Sequence, residues 1–328
     1  MFELSLISNI EFRAKFKKAH FFDLRLIWMN SMLKSEDKSS LIIHKKTIFF
    51  NAFFYITEKE RSVRMLSSPI KWVGGKRLLR KEIIPLIPKC NCYVEAFGGA
   101  GWVLFGKDEK AHKVEVYNDI NSEVVNLFRV LRNNYSEFEK KLEFLLISRE
   151  VFDELKYQNL EELTDVDRAF RFWYLLKYSY GGRKNTLSDY SFGYSKERKP
   201  ALLKNQKQLL LDAYELLQGV LIENLSYDEL IKKYDGKETF FFFDPPYLCK
   251  GKFYGGNDFT KDDHITLKEK LSTTKGRWLL TVNDDEFFRE LYKDFNIQQV
   301  SVNYSAGNAT KGSGERFELI IINYDPQT

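Results

Sequence analysis

The sequence predicts an α/β protein, with a mostly buried sheet covered by helices on both faces and interrupted by a helical insertion. Three observations carry this reading. Seven candidate strands, most of them short apolar runs rich in Val, Ile, Phe or Leu, are bounded by turn signals, as strands buried on both faces should be. They alternate with segments of helical spacing. Residues 135–215 contain no convincing strand, so they form the insertion.

The elements follow in order. Residues 1–64 fit neither pattern, and Met65 reads like a protein start. The expectation is therefore a dispensable extension, an over-long start assignment. Its apolar run from Ile48 to Ile56 is broken by Asn51 and falls far short of the ~20 residues a bilayer needs. It lies too late for a signal peptide. A helix is expected over 77–84, then strands over 93–97 and 114–117. Helices follow over 122–132, 165–179 and 201–218, then a strand over 220–223. A helix over 226–234 is announced by a capping box, Ser226 with Glu229. Strand 239–243, helix 264–273 and strands 277–282, 297–303 and 316–323 complete the chain. The body is thus 65–134 and 216–328.

The composition of the 328 residues, 44% hydrophobic and 30% charged, excludes a disordered chain, a collagen-like fibre and a membrane bundle. Cys90, Cys92 and Cys249 are too few for a disulfide framework. No His stands near the first two, so no metal is expected. The net charge of +5 matches the surplus in residues 1–64, which hold 12 basic and 7 acidic side chains. The rest is neutral in sum but uneven. Nine basic residues against two acidic ones crowd 168–204 (Arg168, Arg171, Lys177, Arg183, Lys184, Lys196, Arg198, Lys199 and Lys204). Such a cluster in an otherwise acidic body is the footprint of a polyanion site, or else a solvated charged face.

Two glycine-rich stretches stand out. Tyr93 to Phe97 runs into Gly98-Gly99-Ala100-Gly101, and the next strand ends at Tyr117-Asn118-Asp119. Glycines after a first strand let the backbone approach a ligand, and an acidic residue about 20 positions on suits a ribose diol. A ligand-free turn or a dinucleotide site remain open, although the full dinucleotide spacing fails at Leu104. Upstream, Lys71-Trp72-Val73-Gly74-Gly75-Lys76 is a surface turn, or a turn that presents Trp72 to an adenine or sulfonium and Lys76 to a carboxylate.

The sharpest motif is Asp244-Pro245-Pro246-Tyr247, directly after Phe240 to Phe243. Proline has no N–H, so the turn offers acceptors only, and an ionised Asp244 also only accepts. Such a pair suits the exocyclic amine of a base, and Tyr247 offers a ring to stack on. Two acceptors on its hydrogens favour a pyramidal nitrogen with a free lone pair and stabilise the positive charge it gains. A rigid strand-end turn is the plainer reading.

The order Trp72, Gly74-Gly75-Lys76, Glu95 to Gly101, Asp119, a long insertion and Asp244 to Tyr247 resembles the Dam-type adenine-specific DNA methyltransferases, the α group of amino-methyltransferases, over about 69–324. The resemblance implies a seven-stranded S-adenosylmethionine-dependent methyltransferase sheet. It implies methyl transfer to N6 of a flipped-out adenine in double-stranded DNA, without metal. It assigns cofactor contacts to Trp72, Lys76, Phe97, Gly98, Gly99, Gly101, Asp119 and Asp244, and the catalytic turn to Asp244, Pro245, Pro246 and Tyr247. The insertion 135–215 becomes a target-recognition domain. Lys71, Arg183, Lys184, Tyr194, Lys196, Arg198 and Lys199 are the expected DNA contacts. Its aromatic residues Tyr178, Tyr180, Tyr190, Phe192 and Tyr194 either read bases or pack. Ala96 stands where many members have Pro, and residues 177–196 look more like prophage-type members than the GATC-reading enzyme. A cytoplasmic, prokaryotic or phage-encoded monomer is expected, with no membrane partner. His264 is expected to be structural or close to DNA rather than a base. The alternatives are methylation of N6-adenine in RNA or N4-cytosine in DNA, a catalytically idle DNA-binding module and, more distantly, a dinucleotide-dependent oxidoreductase.

Overall fold

The computed structural model describes residues 65–72, 74–108, 111–143, 145–179, 190–193, 203–248, 259–302 and 316–326. All seven expected strands are present: β1 (Cys92–Glu95), β2 (Val114–Asn118), β3 (Val220–Glu223), β4 (Thr239–Phe243), β5 (Arg277–Asn283), β6 (Asn296–Val302) and β7 (Arg316–Ile322). They form one sheet in the order β3-β2-β1-β4-β5-β7-β6. Neighbours from β3 to β5 are parallel, and β7 runs antiparallel between β5 and β6. That reversal is not readable from apolar runs, which carry no direction.

Side-chain alternation divides the sheet into two cores. Tyr93, Phe240, Phe242, Leu279 and Ile320 point to one face. Val94, Phe241, Phe243, Leu280 and Ile321 point to the other. The central strand β4 is buried on both faces, which is why four consecutive phenylalanines are tolerated there. Each buried ring contributes about 1.5–3 kcal/mol. Phe241→Ala would cost ~3–5 kcal/mol through the cavity it leaves.

The first core is closed by α2 (Ser122–Asn133) and by the insertion helices α3 (Tyr135–Glu143), α4 (Arg149–Tyr157), α5 (Asp165–Tyr178) and α6 (Leu203–Leu217). Asn121, Ser148 and Thr164 cap α2, α4 and α5 with side-chain oxygens. The second core is covered by α7 (Tyr227–Tyr234), α8 (Lys261–Thr273) and α9 (Glu286–Leu291). The Ser226/Glu229 capping box is formed at α7. The helix expected over 77–84 is reduced to α1 (Arg80–Ile83) and passes into a 3-10 turn over Ile84–Leu86. Pro85 has no amide to bond back to Lys81, so the α ladder stops.

The strand order reverses at β1 and β4. The chain moves outward from β1 through β2 and β3, then returns to β4 and builds away on the other side. A crevice opens above the carboxyl ends at such a reversal. Glu95, the last residue of β1, lies opposite Phe242 of β4. The glycine loop after β1 and the proline turn after β4 therefore start side by side.

The charge reading of the insertion needs a correction. Arg168 is paired with Glu123 of α2. Arg171 is buried and donates to the Leu155 and Lys156 carbonyls at 2.6 and 2.8 Å. Two of the nine cations thus hold the insertion together rather than face a polyanion. Arg171 lies on the buried face of α5, where a guanidinium is tolerated when carbonyls take up its donors.

Candidate active site

The glycine loop is shaped by its own backbone requirements. Gly99 has φ +49°, a region that side chains rarely adopt, and a Cβ there would lie 2.6 Å from the Trp72 indole nitrogen. At Gly98 a Cβ would fall 2.2 Å from the Tyr117 ring. Gly101 closes the turn, its amide donating to the Gly98 carbonyl at 2.7 Å. The loop is then tied to β2. Gly98 N donates to the Asn118 carbonyl at 2.7 Å, Tyr117 Oη to the Gly99 carbonyl at 2.6 Å, and Gly99 N to Asp119 Oδ2 at 2.7 Å.

Asn118, not singled out from the sequence, is the joint of this region. Its amide donates to the Ala96 and Leu225 carbonyls at 2.9 and 3.0 Å and accepts from Leu225 N at 2.8 Å. It binds the ends of β1, β2 and β3 into one rim. Asp119 and the exposed Ile120 follow on that rim. A carboxylate, an apolar side chain and a glycine floor under Trp72 fit the ribose, adenine and methionine parts of S-adenosylmethionine.

Glu95 sits beneath the loop. It accepts from Tyr93 Oη at 2.9 Å and Leu104 N at 2.8 Å. Burial pushes its carboxyl up to about 8, with these hydrogen bonds and Lys107 opposing. It is therefore largely protonated at neutral pH, an uncharged brace rather than an anion.

Across the crevice, Lys76 Nζ lies 2.6 Å from Asp244 Oδ1 and 3.8 Å from Glu318 Oε2. It stands 4.5 Å above the Tyr247 ring centroid and donates to the Gly74 carbonyl at 3.1 Å. Thr281 Oγ1 also donates to Asp244 Oδ1, at 2.8 Å. Tyr247 Oη donates to Glu318 Oε2 at 2.5 Å. Burial raises the Asp244 carboxyl, Lys76 opposes that rise, and Glu318 adds to it. Lys76, expected from the sequence to meet the carboxylate of a ligand, is paired here with carboxylates of the chain itself. Thr281 and Glu318 were missed. The only signal was a polar residue inside each of two apolar strands.

The remaining expected residues are placed as follows. Trp72 lies over Gly99 and meets Phe172 edge-on, with centroids 6.3 Å apart. The Phe97 ring packs among Tyr227, Phe243 and Phe259. Pro245 is buried and Pro246 half-buried. Lys71 is exposed, and its charge is felt by Lys177, which burial first and Lys71 second pull down to about 8. Arg183, Lys184, Tyr194, Lys196, Arg198 and Lys199 lie outside the described residues, as does Tyr180. Tyr178 and Tyr190 are buried, and Phe192 meets the Phe152 ring edge-on at 5.6 Å. Packing is thus the role of these three.

His264 is fully buried between Phe259 and Phe288, with both centroids 4.7 Å away. Burial lowers it to about 4, so it stays neutral, and its place between two rings makes it a packing residue. The Pro246 carbonyl is turned toward its ring without full hydrogen-bond geometry. Among the described residues no group of three or more His, Cys, Asp or Glu could hold a metal, and no helix is long and apolar enough to cross a membrane.

A glycine loop and an acidic rim beside a carboxylate-tyrosine turn, on this strand order, define an amino-methyltransferase of the S-adenosylmethionine-dependent class. Residues 72–306 match the D12 class N6 adenine-specific DNA methyltransferase family, and the chain belongs to that family. Type II methyltransferase M1.LlaDCHI of Lactococcus lactis subsp. cremoris is 30% identical over 77% of this chain and 94% of its own. Type II methyltransferase M.CviBI of Paramecium bursaria Chlorella virus NC1A is 28% identical over 69% and 86%. The DNA adenine methylase of Escherichia coli (strain K12) is 26% identical over 78% and 95%. The chain is therefore an adenine-specific DNA methyltransferase, its substrate is DNA, and the family implies S-adenosylmethionine as methyl donor. The RNA, cytosine, idle-module and oxidoreductase alternatives fall away.

Proposed function

We propose that Asp244, Pro245 and Tyr247 receive the flipped adenine and that Trp72, Lys76, the loop from Phe97 to Gly101 and Asp119 hold the methyl donor. The observation that carries this is the adjacency of two strand ends. The glycine loop after Glu95 and the acceptor turn after Phe243 share the crevice at the sheet reversal. S-adenosylmethionine supplies an electrophilic methyl group on a sulfonium.

The rest is done by the chain. Extruding the adenine costs a few kcal/mol of stacking and pairing. The Tyr247 face takes up the base. Lys76 and Thr281 both sit on Asp244 Oδ1, and Oδ2 carries no hydrogen bond from the described residues. That oxygen accepts one N6 hydrogen. The Pro246 carbonyl is turned to His264, so the second acceptor is the carbonyl of Pro245. Held by both, N6 pyramidalises and its lone pair is aligned with the methyl group. The carboxylates stabilise its growing positive charge, and the methylated nitrogen then sheds a proton without a dedicated base.

Residues 135–215 serve target recognition, while 65–134 and 216–328 form the catalytic body. Lys71 and the basic residues Arg183, Lys184, Lys196, Arg198 and Lys199, with Tyr194, meet the duplex. The enzyme acts as a cytoplasmic monomer on double-stranded DNA. Modified-base sequencing of DNA from cells expressing the wild type and Asp244→Ala tests this reading. N6-methyladenine in one sequence context with the wild type only is the expected result. Equal methylation by the variant contradicts it.

A further inference from the structure

We infer that Glu318 is a positioning residue of the methyl-transfer site, fixing the Tyr247 ring through its hydroxyl and leaving the Lys76–Asp244 pair with excess negative charge. The inference rests on the assignment of Asp244 and Tyr247 above and deepens it.

Tyr247 is half-buried at the end of a turn, and a stacking platform must keep one plane. Its hydroxyl donates to Glu318 Oε2 at 2.5 Å, a charge-assisted bond to a side chain only 3% exposed. Glu318 is itself fixed by β7, where it pairs with Asn283 of β5 on one side and Val300 of β6 on the other. The antiparallel insertion of β7 is what delivers this carboxylate to the crevice. One tyrosine is thus held at the ring by the Lys76 ammonium and at the hydroxyl by Glu318.

Lys76 is one cation shared by two carboxylates, at 2.6 Å from Asp244 and 3.8 Å from Glu318. A lone Lys76–Asp244 pair would be neutral and would offer little to an amine that becomes positive. Glu318 restores one net negative charge next to that amine. The charged and titratable groups around Asp244 are Lys76 before α1, Glu318 on β7, Glu95 on β1 and Tyr247 on the same turn. Of the two carboxylates among them, Glu318 is the one that touches Tyr247.

The test uses the full-length enzyme, unmethylated plasmid DNA and tritiated S-adenosylmethionine. Rates are measured across the acid and neutral range for wild type, Glu318→Gln, Tyr247→Phe and Asp244→Ala. Glu318→Gln should lower kcat by about tenfold or more with little change in KM for DNA. It should also move the acid limb of kcat/KM to lower pH by about one unit, because Asp244 loses a repelling neighbour. Tyr247→Phe keeps the ring and the Glu318 charge. It should lower kcat several-fold and leave the limb in place, and it serves if Glu318→Gln fails to fold. Wild-type kcat in Tyr247→Phe, or an unmoved limb with near-normal kcat in Glu318→Gln, overturns the inference. If Asp244→Ala is inactive in those same assays, only the Glu318 role fails. If Asp244→Ala stays active, the underlying site assignment fails with it.

Discussion

The Lys76 ammonium lies 2.6 Å from Asp244 Oδ1 and 4.5 Å above the Tyr247 ring. One cation from the loop before α1 therefore orders both halves of the acceptor turn after β4. Lys76 is itself buried, so removing it leaves Asp244 without its counter-charge. Lys76→Met should lower kcat/KM by about two orders of magnitude. The sign of the pH effect follows from the charge: without the cation the Asp244 carboxyl rises further. The acid limb should then move to higher pH, opposite to Glu318→Gln. A pH–rate profile of the two variants checks this.

Gly99 should be sensitive even to Ala. The new Cβ would meet the Trp72 indole and force a side chain into a positive-φ backbone. Gly99→Ala should weaken S-adenosylmethionine binding by about tenfold or more, the equivalent of a ~1.4 kcal/mol loss. Calorimetric titration with the cofactor checks this without relying on catalysis.

Glu95 links the site to stability. Its carboxyl is raised to about 8 by burial. The folded state therefore holds a proton there that the unfolded chain releases above the ordinary carboxylate range. Stability from this group is present at mildly acid pH and is lost as pH rises toward 8. Glu95→Gln keeps the acceptor for Tyr93 and Leu104 and has no proton to lose. Its melting temperature should fall less than that of the wild type between pH values of about 6 and 9. Differential scanning calorimetry in both buffers measures it.

Lys177, on α5 of the insertion, and Lys71 form a like-charged pair. Lys177, lowered to about 8 by burial and by Lys71, gains its charge as pH falls below that value. If the pair meets DNA phosphate, affinity should tighten through this range. Lys177→Met should flatten the pH dependence and reduce the salt slope by about one. Fluorescence anisotropy with duplex DNA at several salt concentrations reports both.

The central strands were legible because burial on both faces leaves apolar runs between turn residues, as at Phe240 to Phe243. The acceptor turn and the glycine loop were legible because their chemistry is local in sequence. Glu318 was not, because its partner Tyr247 is 71 residues away and only the antiparallel course of β7 unites them. Arg171 was misread for the same reason: charge counted along the chain cannot say that a guanidinium is turned inward to the carbonyls of α4. The short α9 was missed because its six residues make fewer than two helical turns.

The role proposed for Asp244 is to hold the amine for attack. The most direct measurement is the rate of N6-methyladenine formation by purified Asp244→Ala, taken together with its affinity for duplex DNA. Methyl transfer should be abolished while DNA binding stays close to wild type. Near-normal turnover by the variant would contradict it.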